Sequence, residues 1–386
     1  MTDRPLCHNR VRERGLAAGI FGLAAFIFAY GAQQLPIEAF GLGFDWRPYW
    51  AAYREGWPVY PATIFNPPWT LLMLWPIAVW PFGASWGLLA FFTYAVLLAT
   101  APRRGAGSLD GIAVLALLSS YMVIRQIADG NLALLMIGGF WLLGYGWKRR
   151  RVWAVALSIL LITAKPQESW LVLLWLAVRL VVKWPLERWL QVAAIFTLLA
   201  MPGLLWLGRD WWRGLFPSEL SLSAQVARPF ANISLVGAEG YLGWPSGLTL
   251  LAVLCIGIAT LGLLSRRQPG FSPAALGLCV SASLLLSPYS NEHSVVTVLA
   301  ISVIPLWRRA AFISPGLTLV LWTYLPYASM ALGLPRHLPE PVWTAWLAAV
   351  WAWCVVTVWR SRPGSESFSQ PNFGGEAPAG LTGRCR

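Results

Sequence analysis

The chain has 386 residues, 57% of them hydrophobic and only 12% charged, with a mean hydropathy of +0.59. Soluble domains carry about 25% charged residues, and here the deficit runs the whole length, which excludes a soluble globular enzyme, a protein with one anchor, and a disordered or nucleic-acid-binding chain. The apolar runs are continuous rather than alternating, so a porin-type barrel is excluded too. What remains is an all-α polytopic membrane protein, because lipid offers backbone amides no partner except their own helix.

In chain order, residues 1–14 form a basic N-terminus with Arg4, Arg10, Arg12 and Arg14. The apolar run from Gly15 to Leu35 then resembles a signal peptide, but it lacks a small-residue cleavage site and reads as an uncleaved first helix. With about 20 residues needed per crossing, apolar stretches fall at 15–35, 84–101, 110–127, 131–147, 152–165, 168–183, 189–207, 246–264, 272–287, 294–307, 312–332 and 342–359. These predict about twelve transmembrane helices. The stretch 69–80 is short and bounded by Pro67-Pro68 and Pro81. If it crossed, Arg103-Arg104 and the run Lys148 to Arg151 would move outside; if it does not, every basic cluster shares one side. The positive-inside rule selects the second arrangement, so 69–80 reads as an interfacial or re-entrant helix.

This topology places the protein in the inner (plasma) membrane with both termini cytoplasmic. The net charge of +13 then reflects topology and attraction to an anionic inner leaflet rather than a nucleic-acid partner. Residues 15–362 form a single membrane domain, and 363–386, rich in Gly, Ser and Pro, read as a disordered cytoplasmic tail. No internal repeat stands out, which weighs against inverted-repeat transporters. Cys7, Cys255, Cys279, Cys354 and Cys385 form no paired framework and read as free small hydrophobes without a disulfide or metal role. Two outer loops, about 36–83 and 208–245, exceed the usual 2–8 residues between elements, and function is expected there.

The polar residues near span ends gather at this outer side. They are Asp45, Asp129-Gly130-Asn131, Lys165-Pro166-Gln167-Glu168, Asn232-Ile233-Ser234 and the run Ser287 to His293. Ionisable groups at membrane depth are costly and mark function by default, so a shared, water-filled cavity is expected. Lys165 lies between two short spans and reads either as a phosphate-binding cation beside the N-terminus of the next helix or as a snorkelling lysine. Asp45, among Trp46, Tyr49, Trp50 and Tyr53, reads either as a general base in a partly apolar setting or as a solvated loop aspartate. His293 reads either as a phosphate or base partner or as a structural histidine. Tyr60, Pro67 and Pro68 look like loop architecture.

Together these residues resemble glycosyltransferase family 87, polytopic GT-C enzymes that use polyprenyl-phosphate sugars. Asp45 with Tyr49, then Gly56, Tyr60, Phe65-Asn66-Pro67-Pro68 and Pro76, is similar to the family's acidic loop and Tyr-Pro-Pro segment, with Asn66 where Tyr is usual. Gly130-Asn131 with Leu134-Leu135 resembles its Gly-Gln-x-Asn segment, with Asn131 and Ala133 as departures. Ala164-Lys165-Pro166 resembles its Lys-Pro signature, and Asn232, Ser234, Leu235 and Gly237 its Asn-Gln-Ser-Leu-x-Gly run. The run Ser287 to His293 resembles Ser-Pro-x-Ser-Trp-x-His-His, with Asn291 for Trp and Ser294 for the second His.

The resemblance implies a GT-C-like fold whose first extracytoplasmic loop carries the interfacial helix. It also implies an inverting enzyme that moves a mannose or similar hexose or pentose from a polyprenyl-phosphate donor to a lipid or glycan acceptor, as in cell-envelope biosynthesis. Asp45 would be the general base, Lys165 and His293 would hold the donor phosphate, and Tyr49, Tyr60, Asn131, Gln167, Asn232 and Glu292 would contact substrate. The lipid-linked sugar is a co-substrate, so no cofactor or metal is expected. Two alternatives remain: a transporter or flippase, or a non-catalytic binder, of lipid-linked glycans.

Overall fold

The computed structural model describes residues 4–37, 39–54, 66–104, 108–207, 232–309, 315–334 and 338–361. Of the described residues 79% are helical, and the only strands among them are β1 (Arg103–Arg104) and β2 (Ser108–Leu109), paired antiparallel. The helices are α1 (Arg4–Gln33), α2 (Arg47–Arg54), α3 (Pro68–Ala78), α4 (Phe82–Thr100), α5 (Gly111–Leu118), α6 (Tyr121–Asp129), α7 (Ala133–Arg149), α8 (Val152–Ile162), α9 (Pro166–Lys183) and α10 (Leu186–Leu207). There follow α11 (Leu235–Leu242), α12 (Ser246–Arg267), α13 (Pro273–Leu286) and α14 (Ser294–Val298), which runs through a π-turn (Leu299–Val303) into α15 (Ile304–Arg309). The last three are α16 (Pro315–Trp322), α17 (Leu325–Ala331) and α18 (Glu340–Arg360).

Local chemistry sets the helix ends. Asp110, Ser120, Ser234 and Ser272 accept backbone N–H bonds as N-caps of α5, α6, α11 and α13, satisfying donors that a helix start leaves unpaired. Proline opens α3, α9 and α13, where its missing N–H costs nothing. Gly130 and Gly243 close α6 and α11 in the left-handed region.

Among the described residues, five helices have the length and apolarity of a membrane span: Gly15–Gln33, Phe82–Thr100, Leu186–Trp206, Ser246–Arg267 and Glu340–Arg360. The pair α5 and α6, bent by 55° at Ser119-Ser120, makes a sixth if counted as one. The protein is therefore a helical, membrane-embedded one. Helix does form in each of the other apolar stretches, but several pieces are short. α8 has 11 residues and rises only about 16 Å at 1.5 Å per residue, against a hydrocarbon thickness of about 30 Å. The same length applies to α3, also 11 residues, which is too short to cross alone. Rather than lying only on a surface, α3 buries Trp69, Leu71, Leu74 and Ala78, and Gly203 of α10 admits the first turn of α3 so closely that a Cβ there would lie 2.7 Å from the Trp69 amide nitrogen.

The bundle is apolar on both surfaces. Val181, Leu198, Leu205 and Ile258 are each about 70% exposed or more, which suits lipid and not water. Inside, small residues let helices approach, as they do in membrane bundles. Gly146 of α7 faces Ala154 of α8, and Gly277 of α13 faces Ser302 and Cys354.

α7 runs from Ala133 to Arg149 and α9 from Pro166 to Lys183, so Asn131 and Lys165 sit at the end of the bundle opposite the basic clusters. At that basic end, Arg308 pairs with Asp110 at 2.5 Å, Arg179 lies over Trp147 and Trp175, and Arg267 lies over Trp359.

Candidate functional site

The site begins with two glycines. Gly43 (φ 71°) and Gly130 (φ 74°) both occupy the left-handed region, which glycine enters without steric cost. A Cβ on Gly130 would fall 2.7 Å from the Trp46 Cβ, and Gly43 itself passes 3.4 Å from that position. This close approach lets the first loop lie along the end of α6. Gly43 N donates to Ala128 O and Asp45 N to Asp129 O, both at 2.7 Å. Trp46 is fully buried behind them and donates to Ser85 Oγ at 2.9 Å. Asp45 is thereby fixed beside Asp129 by main-chain bonds, although the two are far apart in sequence.

From Asp45 a polar network runs inward. Asn131 Nδ2 donates to Asp45 Oδ2 at 2.7 Å, and Lys165 Nζ donates to Asn131 Oδ1 at 2.6 Å. Lys165 Nζ also lies 3.2 Å from Glu168 Oε1, one helical turn on, and Ser294 Oγ donates to that same oxygen at 2.8 Å. Lys165 is 5% exposed and Glu168 is fully buried. The brevity of α8 leaves Lys165 recessed, as the sequence predicts, and Pro166 starts α9 directly behind it.

A second branch lies closer to solvent. His293 Nε2 stands 3.4 Å from both Asp45 Oδ2 and Asp129 Oδ2. Arg125 Nε donates to Asp129 Oδ2 at 2.8 Å, and its other arm is 3.7 Å from Glu292 Oε1. Burial holds the Glu292 carboxyl above its usual range, opposed by Arg125 and reinforced by Asp129, Glu340 and Asp45. The Tyr49 phenol is likewise raised, first by burial and then by the Asp45 charge. It donates to Asn66 Oδ1, and Asn66 Nδ2 donates to Ala164 O at 2.6 Å, tying the first loop to the turn before Lys165.

The structure thus brings Asp45, Asn131, Lys165, His293, Glu292 and Tyr49 into one neighbourhood. Three other candidates fare differently. Tyr60 lies outside the described residues. Gln167 is half-buried on the first turn of α9, and its side chain makes no hydrogen bond among the described residues. Asn232 is 1% exposed and bonds main chain: Nδ2 donates to Pro288 O, and Oδ1 accepts from Ser290 N and Ser234 N. It clasps the 287–293 segment to α11 rather than offering its amide to solvent.

Sequence reasoning missed Arg125 as a member of the site, and it noted Asp129, Glu168 and Ser294 without giving them a role. An Arg-to-Asp spacing of four within an apolar stretch was the available signal, since that spacing stacks the two on one helix face. Among the described residues, Arg125 meets Asp129 and Glu292, Lys165 meets Glu168, and His293 stands between Asp45 and Asp129.

No family model, curated protein or solved structure matches the chain.

Proposed function

We propose that the protein is an inverting glycosyltransferase that uses a polyprenyl-phosphate sugar and acts at the outer face of the plasma membrane. In this reading both termini are cytoplasmic, and the short helices complete an arrangement of about twelve crossings. The observation that carries the reading is Asp45: a loop carboxylate 27% exposed, held by Asn131 and beside His293, where a base must meet an acceptor hydroxyl.

The reaction balances with one base. The acceptor oxygen bonds to the anomeric carbon while Asp45 takes its proton, and the bond from that carbon to the phosphate oxygen breaks on the opposite face. Polyprenyl phosphate leaves with the electron pair, so it needs no general acid, unlike glycoside hydrolysis with its two carboxylates. His293 would meet the departing phosphate. Glu292, Asp129 and Tyr49 would accept or donate hydrogen bonds to sugar hydroxyls.

A second reading, a carrier of lipid-linked glycans, would use the same recessed polar cluster of Asp45, Asn131 and Lys165 without a catalytic base. The experiment separating the two uses purified protein in nanodiscs, labelled polyprenyl-phosphate hexoses and pentoses, and a membrane lipid extract as acceptor. An enzyme transfers label, and D45N lowers that transfer by roughly 10²- to 10⁴-fold without lowering the melting temperature. Absence of transfer by the unaltered protein across the panel, or full activity in D45N, overturns the enzymatic reading.

A further inference from the structure

We infer that Lys165, paired with Glu168, is a positioning residue that orients the Asn131 amide and, through it, the Asp45 carboxylate. This rests on the proposed role of Asp45 as the base, but it assigns Lys165 a task other than gripping phosphate.

The argument is one of donors and acceptors. An asparagine amide can be turned either way at a small energetic cost unless its neighbours choose. Here Asn131 Oδ1 receives Lys165 Nζ at 2.6 Å and the Leu132 amide at 2.8 Å. An ammonium and a main-chain N–H only donate, and an ionised carboxylate only accepts. Turning the amide over would set Oδ1 against Asp45 and the NH₂ group against Lys165, two repulsive contacts in place of two bonds. With Lys165 in place, Nδ2 must face Asp45.

Both partners of Asp45 meet its Oδ2: Asn131 Nδ2 at 2.7 Å and His293 Nε2 at 3.4 Å. Among the described residues Oδ1 carries no hydrogen bond, so Oδ1 is the atom left to accept the proton. The Lys165 ammonium is unsuited to the phosphate itself. It is 5% exposed, two of its three N–H bonds are directed at Asn131 and Glu168, and the fully buried Glu168 carboxylate already opposes its charge.

Other charged groups also face Asp45. They are Asp129 from α6 with its partner Arg125, Glu292 and His293 from the 287–293 segment, and the Tyr49 phenol from α2, while Glu340 at the start of α18 acts on Glu292. The test therefore alters only the relay and leaves these in place. The variants are N131L, which is close in size, and the charge-balanced pair K165M/E168Q, each checked by its melting temperature.

The first readout needs no activity. Dicyclohexylcarbodiimide modifies protonated carboxyls, and peptide mass spectrometry reports the extent at Asp45 as a function of pH. Removing the Asn131 donor takes away a hydrogen bond to one state of this carboxyl, so the labelling midpoint should differ from that of the unaltered protein. The second readout is transfer: kcat should fall roughly 10- to 100-fold, with the KM for the polyprenyl-phosphate sugar unchanged and the acid limb shifted in parallel. Midpoints that coincide with the unaltered protein in N131L overturn the inference even if the double variant fails to fold. A raised donor KM in K165M/E168Q, with the midpoint fixed, makes Lys165 a phosphate ligand and overturns it too. Loss of the enzymatic reading is separately visible, since the unaltered protein would then transfer nothing while the midpoints still report the relay.

Discussion

The two ends of the bundle handle charge in opposite ways. At the basic end, Arg179 and Arg267 lie over tryptophan rings, and Arg308 is matched by one aspartate that also caps α5. In each, a cation meets a ring face or a carboxylate from another helix or cap. At the other end, residues from the first loop, α6, α7, α9 and the segment before α14 share partners, so no group there is satisfied by one neighbour alone. Basic residues near an inner leaflet can extend toward water and anionic lipid. Recessed groups have no such exit and must satisfy one another. The second end has the interdependence expected of a site.

Removing a partner should expose this difference most strongly. Glu168→Leu leaves the recessed Lys165 without its counter-ion and should cost about 3–5 kcal/mol, the range for breaking a buried pair, read as a large drop in melting temperature in detergent. Arg308→Met at the basic end should cost less, about 1–2 kcal/mol, because Asp110 keeps its bonds from Ile112 N and Ala113 N. Transfer should be untouched in Arg308→Met. Equal losses at both ends would remove the distinction.

A smaller effect is expected where the first loop meets α6. Gly130→Ala places a methyl group against Trp46 and holds alanine in the left-handed region, at about 1–3 kcal/mol for such strain. It should also lower transfer, because Asp45 takes its position from that contact. Gly240, with open space around it and an ordinary φ, should accept alanine without loss, and a loss there equal to that at Gly130 would discount the contact.

The smallest effect is a pH dependence. The Glu292 carboxyl is held above its ordinary 4.5, so the folded state retains a proton that the unfolded chain releases. Stability from this group is fully present below about 4.5 and declines as pH rises through the raised value. Glu292→Gln should therefore gain in melting temperature relative to the unaltered protein at neutral pH, and the gain should vanish near pH 4. A difference that is constant with pH would mean Glu292 is not titrating in this range.

How much of this was legible in the sequence differs from residue to residue. Lys165 could be read because a charge beside Pro166 between short apolar runs has few innocent explanations. Asp45 and His293 stood out through their aromatic and polar neighbours. Arg125 was not read as part of the site because it lies inside an apolar run, where its partners Asp129 and Glu292 come from its own helix face and from a distant loop. Asn232 looked like a recognition residue and proves to be a clasp, a distinction that depends on main-chain carbonyls and amides carrying no sequence signature.

The amino-acid order by itself determined that this chain is helical and belongs in lipid. Apolar run length and backbone hydrogen bonding leave no other solution there, and the same order set which polar residues share an end. Only the tertiary structure decided who meets whom. The Gly43 and Gly130 approach that sets Asp45 beside Asp129, and the shortness of α8 that lowers Lys165 onto Asn131, depend on contacts between segments distant along the chain. Such contacts follow from packing geometry, which local patterning of apolar and charged residues does not encode.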